Sequence, residues 1–343
     1  MTSYFETRPI GTNPGGISRR GFLKAGGIGA MMLASGMQTA FAASAYPARP
    51  ISVIVPYSPG GQGDLFARIL SEPLAALLGQ SVVVENRPGA TGMLGTRNVI
   101  RSGADGYTAL LGQTGEIAII PSANKDAGYD TLNDLQPVAL VGDSPLVIIA
   151  PAKASFSTPA ELVSQAKDRQ GGLAYASSGT ATPGHLAAAA MTLETQTDMV
   201  HVPYKGAGQA MTDVIGGQVD FFFSSASAAM PHIKAGTVKA IAVASLERMG
   251  ALPDVPTLNE TIVPGFNYSL WGGYFLPKKT PADIVQRLNQ DVNALLARPE
   301  IRERLEADGA AVRQNSSDEF LQFVEQEIAK YRKVIDTLGI KIG

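Results

Sequence analysis

A two-lobed α/β fold, each lobe a doubly wound sheet with flanking helices and a ligand cleft between the lobes, is predicted by three features of the sequence. Short apolar runs alternate with helical patterns, as in parallel sheets wound by crossover helices. Several runs are apolar almost throughout, such as Ile51-Ser52-Val53-Ile54-Val55, which suits strands covered on both faces. Ten such runs are too many for one ordinary sheet, so two sheets are the better reading.

The runs are Ile51–Pro56, Ser81–Glu85, Tyr107–Gly112, Val138–Val141, Leu146–Ala150, Leu173–Ala176, Met199–Pro203, Val219–Phe223, Val238–Ala244 and Trp271–Leu276. Between them, Thr158-Pro159-Ala160-Glu161 and Thr280-Pro281-Ala282-Asp283 read as helix starts, with Thr as cap, Pro at the first helical position and an acid near the positive dipole end. Ile284, Leu288, Val292 and Leu295 form one apolar stripe. After Ser316 as cap with Glu319 three on, Phe320, Val324, Ile328, Tyr331 and Ile335 form another. The segment Ala244–Leu270, with Pro253, Pro256 and Pro264, reads as a long irregular connection that carries the chain back between lobes. The expected division is therefore residues 46–145 with 257–343 as lobe 1 and 146–256 as an inserted lobe 2, with the two crossings as hinge.

The first 45 residues read as an export signal. Ser18-Arg19-Arg20-Gly21-Phe22-Leu23-Lys24 is a twin-arginine motif built on Arg19 and Arg20, and a weakly apolar segment from Ala25 to Phe41 follows. Small residues then offer cleavage near Ala42 or Ala45. The segment is short and glycine-diluted for a permanent span. The twin-arginine export machinery and a periplasmic location are the expectation. Removing residues 1–45 takes Arg8, Arg19, Arg20, Lys24 and Glu6, so the net charge falls from −2 to about −5. That balance, with no basic cluster, excludes a nucleic-acid binder. The chain has no cysteine, and its three histidines, His185, His201 and His232, are widely spaced, so neither disulfides nor a zinc or iron site is expected.

Five loops follow predicted strand ends, where ligands bind in open α/β sheets. The first is Tyr57-Ser58-Pro59-Gly60-Gly61-Gln62-Gly63-Asp64, a strand, a glycine loop and a helix start suited to receiving an anion on backbone N–H groups. It is neither a Walker A loop nor a dinucleotide fingerprint, because no Gly-Lys-Ser/Thr follows and Phe66 replaces the third glycine. Asp64 reads as the N-cap of the following helix, with contact to a cationic or hydroxyl ligand group as the alternative. The second is Ser177–His185, in which Ser178, Gly179, Thr180 and His185 form a polar cradle and Thr182 caps ahead of Pro183. Tyr204 and Lys205 in the third, Thr114 in the fourth and Ser225 in the fifth complete the candidate ligand set. Almost no arginine is present in these loops, so neutral donors and water would hold an anion, which suits a small carboxylate. No nucleophile elbow, zinc-protease pair or catalytic cysteine is found, and no cofactor is expected. Ser178 with His185 is the one arrangement a hydrolase could use.

Tyr46-Pro47-Ala48-Arg49-Pro50-Ile51, the loop Pro56–Asp64, Glu85-Asn86-Arg87-Pro88-Gly89-Ala90, Asp105-Gly106-Tyr107, Val202-Pro203-Tyr204-Lys205-Gly206 and Pro253-Asp254-Val255-Pro256-Thr257 together resemble the Bug family, the TctC-like extracytoplasmic receptors of tripartite tricarboxylate transporters. The resemblance covers essentially all of residues 46–343. It implies a type II-like periplasmic binding protein, expected as a monomer, that closes on a small organic acid and delivers it to membrane permease subunits. It also implies ligand loops at Tyr57–Asp64 and Ser177–His185, with carboxylates held largely through backbone groups and ordered waters. Two departures stand out: Ala187–Ala190 follow His185-Leu186 where the family commonly has an acidic residue, and most relatives use ordinary secretion. A sensory receptor addressing a membrane kinase is the alternative with the same fold.

Overall fold

The computed structural model describes residues 46–307 and 309–341. The expected export signal, with Arg19 and Arg20, lies outside the described residues. Among the described residues there are nine strands: β1 (Ile51–Val55), β2 (Val82–Asn86), β3 (Thr108–Gln113), β4 (Leu135–Pro151), β5 (Ala174–Ser177), β6 (Val200–Pro203), β7 (Phe221–Ser225), β8 (Val238–Val243) and β9 (Ser269–Pro277). The helices are α1 (Gln62–Leu78), α2 (Met93–Ile100), α3 (Ile120–Ala123), α4 (Thr131–Asp134), α5 (Pro159–Asp168), α6 (Pro183–Thr195), α7 (Ala207–Ile215), α8 (Ala226–Lys234), α9 (Leu258–Thr261), α10 (Ala282–Leu296), α11 (Pro299–Glu306) and α12 (Ser317–Leu338).

The strands follow one path, β2-β1-β3-β9-β4-β7-β5-β6, with β8 also on β4. Each end of the path is parallel, β1 with β2 and β3, and β5 with β6 and β7. The middle is antiparallel, because β9 and β8 run against β4. The two α/β halves are thus mixed sheets rather than purely parallel ones. The expectation of ten strands is corrected as well. Val138–Val141 and Leu146–Ala150 belong to the single 17-residue strand β4, which pairs with β9 up to Pro145 and with β7 and β8 from Leu146 onward. The turn-like residues Gly142-Asp143-Ser144-Pro145 mark the change of partner.

Side chains explain the close strands at the centre. Gly272 pairs with Gly142, and Gly273 with Leu140. A Cβ at Gly272 would stand 3.2 Å from the Phe66 ring, and one at Gly273 would stand 2.4 Å from the Phe320 ring. Helices α1 and α12 therefore seat phenyl rings directly on backbone. Trp271 is fully buried beside them, its indole N–H donating to Glu327 at 2.9 Å. One core cluster runs from Ile54 and Leu110 through Trp271 and Phe320 to Tyr175 and Phe221, so both halves share it.

The caps are met at α5 and α12, where Thr158 with Glu161 and Ser316 with Glu319 make reciprocal capping boxes. Thr280 does not cap α10: its hydroxyl donates to Pro277 O at 2.7 Å and the helix starts after Pro281. No described helix is long and apolar enough to cross a membrane.

Candidate functional site

The parallel strands of each half end in loops that lead into helix starts, and most of the predicted site residues lie there. In the first half, Ser58, Gly60 and Gly61 are exposed. The N-cap of α1 is Gly61, not Asp64, and no side chain caps it. Asp64 is instead a loop fastener: Oδ2 accepts the Gly60 N–H at 3.0 Å, and Oδ1 accepts from Arg68 at 2.9 Å and Asn86 at 3.0 Å. Its burial opposes ionisation, but the hydrogen bonds from Arg68, Gly60 and Asn86 outweigh it and hold the carboxyl below the usual range.

Tyr57 is partly exposed, and its hydroxyl donates inward to Glu116 Oε2 at 2.7 Å. Glu116 sits in a π-helical turn, Gly115–Ile119, directly after β3. It is fully buried, and Oε1 accepts the Gln113 N–H at 2.5 Å. Burial pushes its carboxyl up to about 7 despite those two hydrogen bonds. Thr114 is fully buried as well; its hydroxyl accepts the Trp271 N–H at 2.9 Å, so it serves the sheet.

In the second half, Ser178 is half-buried, and among the described residues its hydroxyl has no hydrogen-bond partner. Gly179 lies at φ +145°, and its carbonyl accepts from the hydroxyls of Ser177 at 2.9 Å and Thr182 at 2.8 Å. Thr182 is the N-cap of α6, but its side chain is spent on Gly179 rather than on the helix. Thr180 is exposed. His185 is buried and accepts the Ala181 N–H on Nδ1 at 2.9 Å, which places the proton of its neutral ring on Nε2. The Ser178–His185 arrangement of a hydrolase is not made. The serine and histidine that meet are Ser177 and His201, Oγ to Nε2 at 2.6 Å, and the His201 ring stacks on His185 with centroids 3.8 Å apart. Burial lowers both imidazoles to about 4, with the mutual charge a further cause at His185.

Tyr204 turns its hydroxyl to Asp213 at 2.6 Å, Lys205 is exposed, and Ser225 caps α8 by accepting the Ala228 N–H. Glu116, Ser177 and His201 were not among the predicted ligand residues. Glu116 was visible as the only acid in Gly112–Glu116, whereas His201 is brought beside Tyr175 only by the β5–β6 register. Among the described residues, no group of three His, Cys, Asp or Glu side chains is placed to hold a metal ion.

What the two loop clusters share is a bare helix start. Helices α1 and α6 begin without a side-chain cap, as α2, α7, α10 and α11 also do, and so leave first-turn N–H groups for an outside acceptor, whereas α5 and α12 are doubly capped. A concavity of about 870 Å³, lined by Lys153, Phe156, Arg169 and Asp220 among others, lies at the other end of the second-half strands. The Arg169–Asp220 ion pair forms part of its wall, and it holds none of these loops.

Comparison with known proteins agrees with this layout. Residues 66–340 match the tripartite tricarboxylate transporter family receptor. Protein BugT of Bordetella pertussis is 36% identical over 316 residues, covering 92% of this chain and 97% of its own. The structure of periplasmic binding protein BugD is 34% identical with a TM-score of 0.74, covering 86% of this chain and 99% of that one. A structure of an R. palustris protein with adipate is 31% identical with a TM-score of 0.78, covering 86% and 99%. The fold is that of a two-lobed periplasmic binding protein, and the chain belongs to the tripartite tricarboxylate transporter receptor family.

Proposed function

We propose that the chain is a periplasmic receptor that captures a small organic acid between its two halves and hands it to the membrane subunits of a tripartite tricarboxylate-type transporter. The observation that carries this reading is the meeting, in each half, of an uncapped helix start with exposed loop groups at a strand end, Ser58, Gly60 and Gly61 before α1 and Thr180 before α6. Backbone N–H groups and hydroxyls offered from two sides suit a carboxylate, which accepts several hydrogen bonds at each oxygen. No arginine fork is needed, and Arg68 is already committed to Asp64. Adipate on the R. palustris relative supports the ligand class. Residues 46–145 with 257–343 and residues 146–256 would move as lobes about the partner change in β4 and the return into β9. Arg19 and Arg20 would direct export by the twin-arginine route, and replacing both by Lys should leave precursor in the cytoplasm.

A thermal-shift screen of the purified chain against mono-, di- and tricarboxylates tests the ligand class. A ligand at 100 times its Kd adds about 2.7 kcal/mol of stability. A shift from neutral or cationic solutes with none from any carboxylate would overturn the reading.

A further inference from the structure

The carboxylate reading uses exposed amides and hydroxyls, and it leaves one group at the site without a role. Glu116 is a completely buried acid beside loops that are to receive an anion. Both its oxygens accept hydrogen bonds, from the Gln113 N–H and from the Tyr57 hydroxyl. Among the described residues, no lysine or arginine pairs with it. The groups that face it are spent elsewhere or uncharged. Tyr129, before α4, donates to its main-chain carbonyl at 2.5 Å. On α2, the buried Thr96 hydroxyl donates to Gly92 O, and Arg97 holds the carbonyls of Asp126 and Ala127. On α12, Glu327 and Lys330 pair with each other, and Glu327 also accepts from Trp271. Lys125 and Asp126, after α3, are exposed.

The backbone around the pair is built to its shape. A Cβ at Gly115 would stand 2.7 Å from the Tyr57 hydroxyl, and one at Gly92 would stand 3.0 Å from Glu116 Cβ. Gly92 closes a turn in which Gly89, Ala90, Thr91 and Gly92 all have positive φ, a costly conformation for Ala90 and Thr91. Tyr57 is partly exposed as a residue, while its hydroxyl is packed inside beside Glu116, Gly92 and Gly115, and burial pushes the phenol well above its ordinary value.

Ionised, Glu116 commits the Tyr57 proton to Oε2, and the phenol has only lone pairs left to offer. Protonated, Glu116 can itself donate to the phenol oxygen, which frees the Tyr57 proton for an anion. We propose that Glu116 is a positioning residue that makes carboxylate capture proton-linked: binding draws one proton from solvent onto Glu116, and the Tyr57 hydroxyl turns from the acid to the ligand carboxylate. Tyr57 stays protonated throughout, so the exchange takes up one proton per ligand where Glu116 starts ionised and correspondingly less where it is already protonated. The inference rests on the carboxylate-binding reading above. Burial places the titration of Glu116 near neutrality, where the exchange is reached without acid unfolding.

Two measurements on the purified chain test it. Carboxyl-carbon NMR of the ligand-free protein should show one glutamate titrating near 7 that is missing in Glu116→Gln, whose folding is checked by an unchanged thermal midpoint in mild acid. Calorimetry with adipate, which stays ionised over this range, should show affinity falling more than tenfold between about pH 6.5 and 8.5. In Glu116→Gln the affinity should be flat, because the amide donates to Tyr57 at every pH. The absence of any glutamate titrating above about pH 6 overturns the proposal whatever the ligand. Adipate affinity without pH dependence, or pH dependence that survives in Glu116→Gln, overturns it while leaving the receptor reading intact. A failure of adipate and of every other carboxylate to bind at any pH overturns the receptor reading and the inference with it.

Discussion

The two loop clusters bury titratable groups of opposite kind. The first half buries an acid, Glu116, whose proton affinity is raised; the second holds a stacked imidazole pair, His185 buried and His201 half-buried, whose proton affinity is lowered. Each group is driven by the same cause, removal from water, and each favours its neutral form. The consequence is opposite pH dependence. Glu116 has a folded value above its unfolded one, so its contribution is full below about 4.5 and is lost as pH rises to about 7. The histidines have folded values below 6.5, so theirs is full above 6.5 and is lost as pH falls to about 4. Near neutrality one half is thereby able to change its charge, at Glu116, while the imidazoles of the other stay neutral.

If the halves share one core, damage at the shared strand must exceed damage in either loop cluster. Trp271→Ala, at the fully buried indole of β9, should cost about 3–5 kcal/mol in denaturant unfolding, in a single transition. Two separate transitions would mean that the halves unfold independently. The acid limb tests the second half. Replacing His185 and His201 together by Gln should abolish a loss of up to about 1.4 kcal/mol per pH unit at His185, with His201 adding to it, visible as a flatter thermal midpoint between pH 6.5 and 4. The opposite limb tests the first half: Glu116→Gln should gain on the wild type by up to about 1.4 kcal/mol per unit as pH rises from 4.5 to 7, and no further above 7. The smallest effect is expected at Lys205, exposed on the second-half loop. Lys205→Ala should change stability by less than about 0.5 kcal/mol, yet slow association with a dianion at low salt and not at high salt.

Much of this layout was legible in the sequence, because periodicity and loop composition are local. Outside β4, where two expected runs are one longer strand, the strand positions came out within two residues, and the glycine loop ahead of α1 and the Ser/Thr loop ahead of α6 were visible as strand, loop and helix start. What stayed hidden depends on pairing across the chain. Val138–Val141 and Leu146–Ala150 read as separate runs because polar and turn-favouring residues part them, yet Gly142-Asp143-Ser144-Pro145 pairs with β9 and joins them into one strand. Asp64 reads as a cap by position, but Asn86 and Arg68 claim its oxygens from the side. Ser178 and His185 are neighbours in sequence, whereas Ser177 and His201 meet because β5 and β6 lie side by side. The acid of the first half was missed for the same reason: its partner Tyr57 arrives from β1, 59 residues earlier.

The claim that one carboxylate is held from both halves is tested most directly by titrating adipate into three proteins, the wild type, Ser58→Val and Thr180→Val, by calorimetry near pH 6.5, where Glu116 is largely protonated. One molecule should bind per chain, and each single hydroxyl deletion should weaken binding by about tenfold, as expected for a hydrogen bond to a charged group. If the loss is confined to one of the two variants, the ligand is held by one half alone, and closure on a shared carboxylate is contradicted.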